Sequence, residues 1–77
     1  MKAYVLISAR TGEVRNVVRQ LKKVEHVSEA SLTFGPYDAV AIVEAEDIEK
    51  IGLIIYQGIQ PIPGILDTLT CLAVNTD

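Results

Sequence analysis

Residues 27–44, VSEASLTFGPYDAVAIVE, decide the fold of this chain. Apolar and polar residues alternate from Val27 to Phe34, which is typical of a half-buried β-strand. The nearly continuous apolar run from Tyr37 to Glu44 indicates a second strand, and Gly35-Pro36 between the two favours a tight turn. We therefore predict a β-hairpin. The buried face of its first strand would carry Ala30, Leu32 and Phe34.

A strand and a helix are predicted on the N-terminal side of this hairpin. Met1–Ser8 is an apolar run rich in β-forming residues, as expected of a strand. Thr11 is the predicted N-cap of a helix, with Glu13 in its first turn. The apolar stripe of that helix, at helical spacing, consists of Val14, Val17, Val18, Leu21 and Val24.

A second helix and a last strand are predicted after the hairpin. Asp47 would cap the helix, and Pro61 would stop it. The predicted apolar face consists of Ile48, Ile51, Ile55 and Ile59, widened by Leu53 and Ile54. Ile65–Val74 has the composition of a final strand.

The resulting order of elements is strand, helix, strand, strand, helix, strand. Two right-handed crossovers in this order predict an α+β, ferredoxin-like βαββαβ sandwich. Its four-stranded antiparallel sheet would carry both helices on one face. A length of 77 residues predicts a single domain over residues 1–77.

The chain carries more apolar residues than so small a domain can bury. Hydrophobic residues make up 49% of the sequence, and the mean hydropathy is +0.30. The first and third predicted strands are apolar at odd and even positions alike, so both of their faces should be dry. Because the helices can cover only one face, we expect two sheets to pack together in a homodimer.

Charge and cysteine content exclude several classes of partner. A formal net charge of −3, with no basic block, argues against direct binding to nucleic acid. Residues 51–66 form the longest uncharged run, but prolines and glycines interrupt it, so no membrane span is expected. The single cysteine, Cys71, and the lack of a signal peptide predict a cytoplasmic protein.

No catalytic, metal-binding or cofactor-binding pattern is present in the sequence. His26 is the only histidine and is expected at the surface. Cys71 stands among apolar strand residues and is expected to be a buried, inert thiol. We therefore predict no catalytic residue, no metal ligand and no cofactor.

The turn residues Tyr37 and Asp38 are the best candidates for binding a ligand. Asp38 allows two interpretations: a cap for backbone N–H groups of its own hairpin, or a carboxylate offered to a ligand ammonium group. Tyr37 also allows two interpretations: its ring packs within the chain, or it contacts a ligand. Thr68 and Thr70 share one face of the last strand and become relevant if they face a cavity near Asp38.

The chain resembles the ligand-sensing (RAM) domain of the Lrp/AsnC, or feast/famine, transcription regulators. The resemblance rests on AYVLI at 3–7, the helix start at Thr11-Gly12, GPYD at 35–38, the helix after Asp47 and PGILDTLTCL at 63–72. The turn corresponds to the family's G-x-Y-D motif. The last stretch is similar to its G-V-x-x-T-x-T strand, with Ile65 in place of the usual Val.

This resemblance implies a module that binds amino acids or similar small metabolites. In the family, such domains pair through their sheets, and the dimers often assemble further into rings of four. Effector binds in the contact between dimers, near the G-x-Y-D turn. The implied ligand-binding residues are Gly35, Pro36, Tyr37, Asp38, Thr68 and Thr70.

The chain departs from the usual family member because its first strand begins at Met1 or Lys2. We therefore expect a stand-alone sensing domain without the DNA-binding helix-turn-helix. It could modulate transcription regulators indirectly, for instance by assembling with full-length Lrp/AsnC relatives. Two alternatives stay open: an interaction module that forms mixed oligomers without effector, and a small dimeric α+β barrel enzyme.

Overall fold

The computed structural model describes residues 1–74 and shows a four-stranded antiparallel sheet. Its strands are β1 (Lys2–Ala9), β2 (Val27–Leu32), β3 (Ala39–Glu44) and β4 (Ile65–Leu72). Their spatial order is β2-β3-β1-β4. Helix α1 (Val14–Leu21) follows β1, and helix α2 (Ile48–Leu53) follows β3. The predicted ferredoxin-like α+β fold is confirmed.

The core lies between the helices and one face of the sheet. On β1 the side chains of Ala3, Val5 and Ile7 are fully buried, and they pair with Val43, Ala41 and Ala39 of β3. The helical segments add the buried residues Val17, Val18, Leu21, Ile51, Ile54, Ile55 and Ile59 to the same cluster. Both helices therefore cover the same face of the sheet.

The second helix begins as predicted but changes its hydrogen-bonding pattern halfway. Oδ1 of Asp47 accepts the N–H of Lys50 at 2.8 Å, which confirms the predicted cap. After α2 the backbone continues as a π-helical segment, Ile54–Ile59. The N–H of Gln60, for example, donates to the carbonyl oxygen of Ile55 at 2.8 Å.

The predicted apolar face of this helix is wrong at two positions. Ile48 is 55% exposed and Leu53 is 51% exposed, whereas Ile54 is buried. Ile48 lies beside the edge strand β4, near Thr70, where no further strand covers it. Leu53 lines a surface cavity together with Val24 and is therefore only partly covered.

The first helix begins later and ends earlier than predicted. Thr11 is not its cap, since Glu13 occupies the N-cap position and makes no capping bond with its side chain. The Glu13 carboxylate instead pairs with Arg10 at 3.4 Å. The helix ends at Leu21, so Val24 packs against the core from the following turn.

Both hairpin strands are shorter than predicted, and only part of the predicted buried face is buried. Ala30 is 7% exposed, but Leu32 is 51% exposed and Phe34 is fully exposed. Leu32 shares the face of Ala30, because both pair with helix-side residues of β3. Helix α1 starts at Val14 and leaves this end of the edge strand β2 uncovered, which explains the exposure of Leu32.

The other face of the sheet, the open face, has no helix against it. Two rows of side chains cross its centre from β3 through β1 to β4. One row consists of Ile42, Tyr4 and Cys71, and the other consists of Val40, Leu6 and Leu69. Leu69 is 50% exposed and Tyr4 is 38% exposed. The prediction of a buried thiol is wrong, since Cys71 is exposed on the edge strand β4. Apolar side chains thus occupy both faces of the sheet.

Replacing Ile59 and Ile48 separately by alanine should distinguish the covered part of the second helix from its uncovered part. Ile59 is fully buried, so Ile59→Ala should lower the free energy of unfolding by about 2–5 kcal/mol. Ile48→Ala should change it by less than about 0.5 kcal/mol, as for most exposed positions. Denaturant titration measures both values. Equal losses in the two variants would contradict the packing described here.

Candidate functional site

The turn between β2 and β3 is held closed by its own hydrogen bonds. The N–H of Thr33 donates to the carbonyl oxygen of Asp38 at 3.0 Å, and the Thr33 hydroxyl donates to the carbonyl oxygen of Tyr37 at 2.7 Å. Gly35 has φ +137°, a conformation that disfavours a side chain. Gly35 and Pro36 are exposed, while Tyr37 is half-buried. The turn is therefore a defined rim rather than a loose loop.

Asp38 ties this rim to β1. Its backbone N–H donates to the carbonyl oxygen of Ile7 at 2.8 Å, and its Oδ2 accepts the N–H of Ala9 at 2.8 Å. The register between β1 and β4 shifts between Ser8 and Ala9, so the carboxylate serves a backbone N–H at an irregular strand end. Asp38 therefore caps a backbone N–H group, as one of its two interpretations predicts. That N–H group belongs to β1 and not to the hairpin of Asp38.

One oxygen of the Asp38 carboxylate remains available for another partner. Oδ2 is used by Ala9, and within residues 1–74 Oδ1 accepts no hydrogen bond. An ionised carboxylate has about four lone-pair positions, so a capping bond does not exhaust it. Asp38 can therefore cap β1 and bind a cationic group at the same time.

The two threonines lie on the helix side of β4. Thr68 is opposite Ile7 and Thr70 is opposite Val5 on β1. The Thr68 hydroxyl accepts a hydrogen bond from Nε2 of Gln60 at 3.3 Å. Thr70 is exposed and lines a cavity of about 400 Å³ between the second helix and β4. Gln60, absent from the predicted site, lines the same cavity.

A single copy of the chain does not bring the turn and the threonines together. Ala39, Ile7 and Thr68 occupy one row across three strands, so the end of the turn and Thr68 are separated by β1. Two strand spacings amount to about 10 Å. The predicted site therefore consists of two half-sites in the described part of the chain: the turn at residues 35–38, and the two threonines of β4.

A groove outside the predicted site lies beside the turn. It is lined by Gly12, Val14, Arg15, Leu32, Thr33 and Phe34, and its volume is about 460 Å³. It forms where the start of α1 faces the end of β2. The helical periodicity placed Val14 on the apolar stripe, but nothing in the sequence indicated that α1 leaves Leu32 uncovered.

Two structural findings concern other classes of site. Across residues 1–74, no group of three or more His, Cys, Asp and Glu side chains is placed to hold a metal ion. In the same range, every helix is too short or too polar to cross a membrane.

The sequence and the fold match one protein family. The family model of the Lrp/AsnC ligand binding domain matches residues 2–76. The HTH-type transcriptional regulator FL11 of Pyrococcus abyssi is 30% identical over 76 residues, which are 99% of this chain and 50% of FL11. The chain thus spans half the length of that curated relative.

Solved structures show the same fold. TTHA0845 from Thermus thermophilus has a TM-score of 0.92 and is 33% identical in sequence. The match covers 99% of this chain and 95% of the TTHA0845 chain. The complex of the transcriptional regulator NMB0573 from Neisseria meningitidis with L-Met has a TM-score of 0.84 at 14% identity, over 96% and 49% of the two chains. A dehydrochlorinase, TftG from Burkholderia phenoliruptrix AC1100, is more distant, with a TM-score of 0.63 at 12% identity. The match covers 99% of this chain and 96% of the TftG chain. At these two low identities the likeness concerns the fold alone.

The capping bond of Asp38 predicts a loss of stability that does not depend on any ligand. Asp38→Ala should lower the free energy of unfolding by about 1–3 kcal/mol, because the Ala9 N–H loses its acceptor. Asp38→Asn should recover most of that loss, since the amide oxygen can still accept. Glu46→Ala, at an exposed position in the loop before α2, is the matched control. Chemical denaturation measures the free energy of unfolding of all three variants. If Asp38→Ala unfolds with the same free energy as the wild-type chain, the capping role is contradicted.

Proposed function

The chain belongs to the family of Lrp/AsnC ligand binding domains, and on that basis we propose that it is a sensing module for an amino acid or a similar small metabolite. The ligand binds at contacts between copies of the chain and thereby modulates transcription regulators indirectly. The observation that carries this proposal is the Asp38 carboxylate, which keeps one oxygen available at the rim of a closed turn. The match to a family of ligand binding domains supports a small-molecule ligand.

Assembly would complete the site that one copy leaves divided. The turn half-site offers a carboxylate, and the strand half-site offers two hydroxyl groups. An amino acid needs an acceptor for its ammonium group and donors for its carboxylate, which these two sets supply together. Because β1 separates them within one copy, the turn of one copy must approach β4 of another.

The open face provides the first contact for this assembly. Its two central rows of apolar side chains, from Ile42 to Cys71 and from Val40 to Leu69, are partly exposed to water in one copy. Packing the open faces of two copies together removes that surface from water without moving the helices. Such homodimers could then assemble further, or assemble with full-length Lrp/AsnC regulators. The single exposed thiol, Cys71, fits a reducing cytoplasm.

A second candidate function is an interaction module without effector. The capping bond from the Ala9 N–H favours it, because that bond gives Asp38 a structural role in the absence of any ligand. Enzyme activity has no comparable support. The match to a family of regulator ligand-binding domains favours a regulatory role, and the likeness to a dehydrochlorinase rests on the fold alone.

Assembly through the open face predicts that a lysine at its centre prevents dimerisation. The wild-type chain should sediment as a dimer or larger species at micromolar concentration. Leu6→Lys should yield monomer or impair folding, since an unpaired charge would enter a dry interface. Asn16→Lys, on the exposed surface of α1, is the matched control and should assemble normally. A soluble wild-type monomer at this concentration would contradict the proposed assembly.

The proposed ligand site predicts distinct losses of affinity for its two half-sites. Ligands are first identified by a rise in melting temperature across the common amino acids. By calorimetric titration, Asp38→Asn should weaken binding of the best ligand by roughly 1.5–3 kcal/mol, the range for charged hydrogen bonds. Thr68→Val and Thr70→Val should each cost roughly 0.5–1.5 kcal/mol.

Glu46→Gln serves as the control for this titration, because it removes the same charge from an exposed position outside the sheet. Melting temperatures of all variants separate losses of affinity from losses of folding. If Asp38→Asn binds as tightly as the wild-type chain, Asp38 is not part of the site. If no amino acid binds to the wild-type chain, the interaction module becomes the better description.

A further inference from the structure

We propose that the groove between α1 and the β2–β3 turn is a second binding site, for a small monocarboxylate with an apolar tail. Its volume of about 460 Å³ lies within the usual range for small-molecule sites, roughly 300–1,000 Å³. The groove is lined by Arg15 and by residues other than Asp38, Thr68 and Thr70, so this site goes beyond the one proposed above.

The walls of the groove are apolar and only partly covered. Val14 is half-buried, Leu32 is 51% exposed and Phe34 is fully exposed. These three side chains come from two elements that meet at the groove, the start of α1 and the end of β2 with the turn that follows. An apolar tail in the groove would remove them from water, at a gain proportional to the area covered. The walls therefore select an apolar group.

The charge at the groove selects an anion. Arg15 is the charged side chain among the lining residues. The ion pair found within residues 1–74 joins Arg10 to Glu13, and it leaves the guanidinium of Arg15 without a carboxylate partner there. The guanidinium of an arginine binds a carboxylate through two parallel hydrogen bonds, a geometry that the ammonium group of a lysine cannot reproduce. A carboxylate head is the group that fits this position.

The groove has no negatively charged group to bind an ammonium. Its lining contains no acidic residue, and Asp38 is not part of it. The Thr33 hydroxyl donates its proton to the carbonyl oxygen of Tyr37, and the acceptor positions left on its oxygen carry no charge. An α-amino group would therefore lie in the groove without a charged partner, and a carboxylic acid lacking that group should bind better than the corresponding amino acid.

Titrations of the ¹⁵N-labelled wild-type chain with 4-methylpentanoate, acetate and 4-methylpentylamine test this site by NMR. We expect 4-methylpentanoate to shift the amide signals of Gly12, Arg15 and Thr33 and to saturate. Affinity should fall about fourfold for each buried methylene that a shorter acid lacks, so acetate should bind far more weakly. The amine should not shift these signals, because it would bring a second cation to Arg15.

Two arginine variants identify the charged partner. Arg15→Gln should weaken 4-methylpentanoate binding by about tenfold or more. Arg19→Gln, which removes the same charge one helical turn further along α1, should bind like the wild-type chain. Shifts confined to other residues, equal affinities for acid and amine, or equal affinities of the two variants would each overturn the proposal. The Asp38 site is tested separately by amino-acid titration, so a negative result at one site does not overturn the proposal for the other.

Discussion

Two helices can cover only one face of a four-stranded sheet, and this constraint shapes the rest of the molecule. The covered face is packed with small and branched side chains, among them Ala39, Ala41 and Val5. The open face carries two further apolar rows, centred on Tyr4 and Leu6. Residues 1–74 form no third layer that could lie over them. A second copy is the simplest cover, and the proposed site depends on it because one copy holds two separated half-sites.

The fold could be predicted almost completely from local patterns. The change from period two to helical spacing located all six elements, and Asp47 was identified as a cap from its residue type and position. Periodicity shows which side of an element faces inward, but not how far the neighbouring element extends over it. Leu32 therefore shares the face of buried Ala30 and is still half exposed. The π-helical segment at Ile54–Ile59 has no comparable sequence signal, yet its buried residues Ile54, Ile55 and Ile59 all belong to the predicted apolar face.

The candidate site could be predicted only as a set of residue types. The G-x-Y-D turn was located correctly, yet the partner of Asp38 is Ala9, which lies 29 positions away in the sequence. A contact over that distance follows from sheet order, which hairpin patterns do not contain. The same sheet order separates Thr68 from the turn by a full strand. The Arg15 groove depends on where α1 begins, and the predicted cap at Thr11 placed that start too early.

The reactivity of Cys71 tests most directly whether a second copy covers the open face. This only cysteine of the chain lies in the same row as Tyr4 and is exposed in one copy. Its rate of reaction with 5,5′-dithiobis(2-nitrobenzoate) can be followed from micromolar protein down to high dilution. If the open faces pack together, the thiol reacts slowly at micromolar concentration and faster as dilution releases single copies. A rate equal to that of the unfolded chain at every concentration would show that the face is uncovered and would contradict this account.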